Sequence, residues 1–101
     1  MDAMSLADRR RLLSEMAIYF LEELALRGGR VKAKYWHTYR IAEFWLGKDA
    51  ANEIVKKLAE ASYLRVEGDY VVLIKTLDVK RSLSDIERRT LALAKSLEKL
   101  H

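Results

Sequence analysis

The chain has no cysteine, no proline and no glutamine, and Asn52 is its only asparagine. Without cysteine there are no disulfides, no thiolate zinc sites and no cysteine nucleophiles. Few amide and thiol side chains beside abundant Lys, Arg and Glu is the pattern of heat-adapted proteins, so a thermophilic source is expected. The missing proline runs against that pattern, and in so short a chain the same composition also arises by chance. No apolar run approaches the ~20 residues that a membrane span needs. The N-terminal stretch, Met1 to Arg11, lacks the basic-then-apolar order of a signal peptide. A cytoplasmic location is therefore expected.

Chemistry-bearing groups are also scarce. His37 and His101 are the only histidines, and His101 is the last residue. No metal-ligand spacing and no glycine-rich phosphate loop is visible. Glu22 and Glu23 read as solvent-facing charge balance on a helix. No set of nucleophile, base and orienting group can be assembled, so neither an enzyme nor a cofactor or metal site is expected.

What is present is a 101-residue chain, half hydrophobic and one third charged, which fits one globular domain. The net charge of +4 is mild, but its distribution is uneven. From Arg27 to Ala42 there are five cations (Arg27, Arg30, Lys32, Lys34 and Arg40) and no acid.

Ser5 and Asp8 mark a helix start, and Leu13, Met16, Phe20 and Leu24 form a helical stripe. With Leu12, Tyr19 and Leu26 on a second ridge, this first helix (5–27) is apolar over a wider arc than a small domain usually buries. Gly28-Gly29 ends it. Residues 30–36 alternate polar and apolar, with Val31, Ala33 and Tyr35 on one face; they read either as a short strand or as an ordered basic loop. A second helix is expected over 37–46, with Ile41, Trp45 and Phe44 toward the core. Gly47 turns the chain into a third helix over 48–62, whose inward residues are Ala51, Ile54, Val55, Leu58 and Ala61. Residues 63–74 read as two strands joined at Glu67-Gly68-Asp69, where Gly68 is free to take positive φ.

A polar connector leads to a last helix over 83–100, with Ser82 or Ser84 as its cap. Leu83, Ile86, Thr90, Leu93, Leu97 and Leu100 recur in steps of 3, 4, 3, 4, 3, a heptad seam. Such a seam either folds back on the first helix or pairs with a second copy. Pairing is the expectation, because the first helix also has apolar surface to spare.

The stretch from Tyr39 to Ile74 resembles a winged helix-turn-helix, an α+β fold. The best-matching segment is Ile54 to Val66, against a common "V-x-K-L-x-x-x-G-Y-L-x-x" pattern. Leu58 falls on the recognition-helix leucine, Tyr63-Leu64 on the first wing-strand residues, and Ser62 replaces the usual Gly. The appended helix resembles that of small archaeal DNA-binding proteins that dimerise through a terminal coiled coil. Three features depart from the family: the link around Gly47 is short and lacks a Ser/Thr cap, the wing tip carries Glu67 and Asp69, and Asp49, Glu53 and Glu60 offset the lysines of the third helix.

The resemblance implies double-stranded DNA as partner, with the third helix as recognition helix. Lys48, Asn52 and Lys56 recur on one face of it and are the expected base-facing residues, since Asn pairs bidentately with adenine. A surface Asn with no partner is the plain alternative. Arg30, Lys32, Lys34, Thr38, Tyr39 and Arg40 are expected at phosphates. Tyr35, Trp36 and Tyr39 read as packing aromatics before base-stacking ones, and Arg9-Arg10-Arg11 as a solvated helix flank. The expected function is a homodimeric, nucleoid-associated DNA-binding protein, either a transcription regulator or a chromosome organiser. The alternative is a winged helix used to bind another protein.

Overall fold

Ser5 opens the first helix by the expected device: its Oγ accepts the backbone N–H of Asp8 at 3.1 Å. The computed structural model describes residues 5–99. In chain order its elements are helix α1 (Leu6–Leu26), strand β1 (Arg30–Lys32), a short 3-10 turn (Ala33–Tyr35), helix α2 (His37–Leu46), helix α3 (Lys48–Glu60), strands β2 (Leu64–Glu67) and β3 (Tyr70–Leu73), and helix α4 (Leu83–Glu98). The strands form one antiparallel sheet in the order β1-β3-β2. Four helices with this small sheet make an α+β layout compatible with a winged helix.

The alternation expected through residues 30–36 stops early. The N–H of Ala33 makes the last cross-strand bond, to the Asp69 carbonyl at 2.9 Å, and the backbone then tightens into the 3-10 turn. Val31 and Ala33 pack against the core as expected, but the rotation turns the next two residues over. Tyr35 is 55% exposed, while Trp36 is buried with its Nε1 donating to the Phe20 carbonyl at 3.1 Å. The Trp36 and Phe20 rings meet edge to face at 5.2 Å, and Tyr39 stacks on Trp36 at 5.5 Å. Trp36 is thus a core residue, as aromatic area usually is.

Between α2 and α3 the chain turns on Gly47 alone, at φ 94° and ψ 161°, a conformation that a side chain would resist. Gly47 occupies the N-cap position of α3, and no side chain replaces the missing Ser/Thr there. On α2 the buried residues are Thr38 and Ala42; Ile41 and Trp45 are half-buried. Phe44, expected toward the core, is 80% exposed. It lies two residues beyond buried Ala42, about 200° around a 3.6-residue helix, on the opposite side. On α3, Ala51, Ile54 and Leu58 are buried and Val55 is half-buried, whereas Ala61 lies beyond the helix and is exposed. Gly68 takes φ 61° at the hairpin tip. Ser62 takes φ 63°, so the serine that stands where the family pattern has glycine carries glycine's conformation.

The last helix corrects an expectation. Its cap is Ser82, whose Oγ accepts the N–H of Asp85 at 3.2 Å. From there α4 folds back against α1 and α2, and Ile86, Thr90, Ala94 and Leu97 are fully buried within the chain's own body. Ile86, Thr90 and Leu97 are therefore not available as a dimer seam. The Thr90 hydroxyl is satisfied by the Ile86 carbonyl at 2.8 Å. Leu83 and Leu93 are half-buried at the edges, and Leu100 lies outside the described residues. Ala94 shows why the heptad misled: burial follows steps of 4, 4 and 3, the stripe of a helix on a globular core.

Among the described residues no helix is long and apolar enough to cross a membrane.

Candidate nucleic-acid interface

The site begins with a carboxylate inside the protein. Glu23 on α1 is fully buried, not solvent-facing as the sequence suggested. Its Oε1 accepts the Thr38 N–H at 2.7 Å and the Thr38 hydroxyl at 2.8 Å. Its Oε2 accepts the His37 N–H at 2.9 Å and Arg27 Nε at 2.6 Å. Trp36, at the N-cap of α2, offers no side-chain cap. Glu23 takes that role from another helix, satisfying orphan N–H groups and setting a negative charge at the positive end of the α2 dipole. Beyond it, His37 Nδ1 lies 2.6 Å from Glu87 Oε1 on α4. Glu22 is also largely buried, held by Arg81 Nη1 at 2.9 and 3.1 Å. The start of α2 is thereby fixed to α1 and α4.

This fixing positions Tyr39. Its half-buried ring stacks on Trp36, and its hydroxyl reaches α3, donating to Asn52 Oδ1 at 2.5 Å. Burial, with the Glu43 carboxylate second, raises the pKa of the Tyr39 hydroxyl above 10, so it remains a donor at neutral pH. With Oδ1 engaged, the Asn52 NH₂ has no hydrogen-bond partner among the described residues.

Lys48, Asn52 and Lys56 are all exposed. At four-residue spacing they form a ridge about 12 Å long. The same outward face of α3 also carries Asp49, Glu53 and Glu60, all exposed. The ridge is therefore a narrow basic line beside a row of carboxylates.

The six expected phosphate contacts divide into four groups. Thr38 is fully buried with its hydroxyl committed to Glu23, so it is not a surface contact. The Tyr39 hydroxyl serves Asn52. Lys34 and Arg40 share one corner, where Arg40 Nη1 donates to the Lys34 carbonyl at 3.0 Å. Arg30 and Lys32 stand elsewhere, on the outer face of the sheet, both within cation–π range of Tyr70 at 3.7 and 5.7 Å. Arg65, which the sequence reading passed over, joins them there, since it pairs across the sheet with Val72, as Arg30 does. The period-two alternation of β2 and β3 was the signal that would have found it.

On the other flank of α3 lies an apolar groove of about 890 Å³ against α1. Leu13, Ala17, Ile18, Ile54, Tyr63 and Leu77 line it, and Ile18 is 51% exposed. Its rims carry Arg9 and Arg10 from α1 and Glu53 and Lys57 from α3.

Among the described residues no group of three or more His, Asp or Glu side chains is placed to hold a metal ion. Comparison with family models, with curated proteins and with solved structures finds no match for this chain.

Proposed function

We propose that this chain is a winged helix-turn-helix protein that binds double-stranded DNA as a homodimer, as a small transcription regulator or a chromosome organiser. The order of elements supports the family reading: helix, strand, two helices joined by a one-residue turn, then a hairpin whose second strand lies between the other two. The observation that carries the DNA reading is the Tyr39–Asn52 hydrogen bond. It orients the chain's single asparagine in the middle of an exposed lysine ridge on α3. An amide so held has its NH₂ ready for a purine N7 and the second lone pair of Oδ1 for an adenine amino group. Lys48 and Lys56 lie a turn to either side. Lys34 and Arg40 supply phosphate contacts at the neighbouring corner.

A second copy is proposed at the α1–α3 groove, in place of the buried α4 seam. The groove offers exposed apolar surface, with Ile18 half exposed in it, Arg9 and Arg10 on the α1 rim, and Glu53 beside Lys57 on the α3 rim. A two-fold pairing brings the same patch of both copies together and covers this apolar surface in each. The Asn52 ridge lies on the opposite flank of α3 and stays open.

A protein-binding role is the second reading. It is favoured by Phe44, exposed over four fifths of its surface, and by the acidic tip at Glu67 and Asp69. A gel-shift series on a random-sequence duplex separates the two. DNA binding requires a shift at low salt that weakens steeply toward physiological salt. No shift at low salt eliminates the DNA reading.

A further inference from the structure

We infer that the outer face of the sheet is a second phosphate-binding surface, one that holds the backbone of a further DNA duplex and so lets one assembly bridge two duplexes. This rests on the reading of α3 as the first duplex-binding surface.

The register defines the face. Arg30, Val72 and Arg65 lie abreast in one row across the three strands, and Lys32, Tyr70 and Glu67 in the next. Cross-strand partners share a face, so these six side chains stand together. The alternate residues Val71 and Leu64 are buried, which turns the six-residue grid away from the helices. The buried side of α3 enters the same core, so the α3 ridge and this grid face outward from it separately.

The chemistry of the grid is that of a backbone reader. Three cations stand against one carboxylate, and Glu67 is already paired with Arg65. Among the described residues neither Arg30 nor Lys32 has a carboxylate partner. The Arg30 guanidinium lies 3.7 Å from the Tyr70 ring centroid. Stacked so, the guanidinium is held in orientation while its N–H edge remains open for a phosphate. It also covers the ring, leaving no free platform for an unpaired base, which favours a duplex backbone over single-stranded nucleic acid. The Arg30–Val72–Arg65 row is two residues farther from the Gly68 turn than the Lys32–Tyr70–Glu67 row. Arg30 is thus set back from the acidic wing tip, whereas Arg65 reaches it through Glu67.

The test immobilises one random duplex on beads, adds the protein, and measures capture of a second, labelled duplex at low salt. Gel shift on a single duplex is measured in parallel. Wild type captures the second duplex. Arg30→Ala combined with Lys32→Ala lowers capture about tenfold, because two phosphate contacts are lost, while the single-duplex shift is unchanged. Both positions lie at the sheet surface, and an unchanged thermal melt shows that the variant is folded. A wild type that shifts one duplex but captures no second overturns this inference alone. Capture that survives the double substitution, as it would in a dimer bridging through two α3 ridges, also overturns it. So does an equal loss of capture and shift, which makes the sheet part of the first site, or preferential capture of a single strand. A wild type that shifts no duplex overturns the α3 reading and this inference with it.

Discussion

Tyr39 on α2 holds Asn52 on α3 through a 2.5 Å hydrogen bond from its hydroxyl to the amide oxygen. The bond crosses the two helices that Gly47 joins, so the orientation of an exposed polar group is set by a residue anchored in the aromatic core beside Trp36 and Phe20.

The first prediction separates reading from holding. Asn52→Ala is expected to change preference among duplex sequences, and Lys34→Ala to weaken all of them alike. Tyr39→Phe keeps the ring but frees the amide. It is expected to blunt sequence preference by about 1 kcal/mol, the worth of one hydrogen bond, with little loss of stability. Competition between preferred and random duplexes measures all three. Equal effects of Asn52→Ala and Lys34→Ala on every sequence would sink the base-reading role. Because the Tyr39 pKa lies above 10, any contribution of this bond is complete below pH 10 and fades only as pH rises past the folded-state value.

The second prediction concerns Glu23. Its carboxylate accepts four hydrogen bonds while fully buried. Glu23→Ala leaves two backbone N–H groups, a hydroxyl and Arg27 without their acceptor. Breaking a buried pair of this kind costs about 3–5 kcal/mol. In a domain of this size that is a fall in melting temperature of more than about 10 °C. Glu23→Gln keeps the shape and two acceptor positions, and is expected to lose less. A melt in which Glu23→Ala matches wild type would show that α2 does not depend on this cap.

How much of this was legible follows from the kind of signal each feature leaves. Ser5, Ser82, Gly47 and Gly68 act within a few residues of themselves, and local chemistry revealed them. Glu23 acts on residues fourteen and fifteen positions away. Its clue was its place on the Met16–Phe20 stripe with Arg27 one turn on, a weak sign beside the usual habit of glutamate to face water. Thr38 was lost to the same cause, because a hydroxyl bonded to a distant carboxylate looks like a surface hydroxyl in sequence. Phe44 and Tyr35 misled because hydrophobicity was taken for burial. The α4 seam failed for a subtler reason: Leu93 and Ala94 are neighbours, and only the packed helix decides which of them faces inward.

The third prediction uses that difference. Ile18 is half exposed in the groove between α1 and α3, whereas Leu97 is fully buried between α4 and the rest of the chain. Ile18→Glu is expected to leave the fold intact and convert a dimer to a monomer, because a charge set into an apolar interface lacks a partner there. Leu97→Glu places the same charge in the core and is expected to unfold the chain outright. Light scattering reads the first change and circular dichroism the second. If Leu97→Glu gave a folded monomer, α4 would belong to the subunit interface after all. A wild-type monomer at high concentration would leave the groove without its proposed second copy, and the DNA reading would then stand on the Asn52 ridge of a single chain.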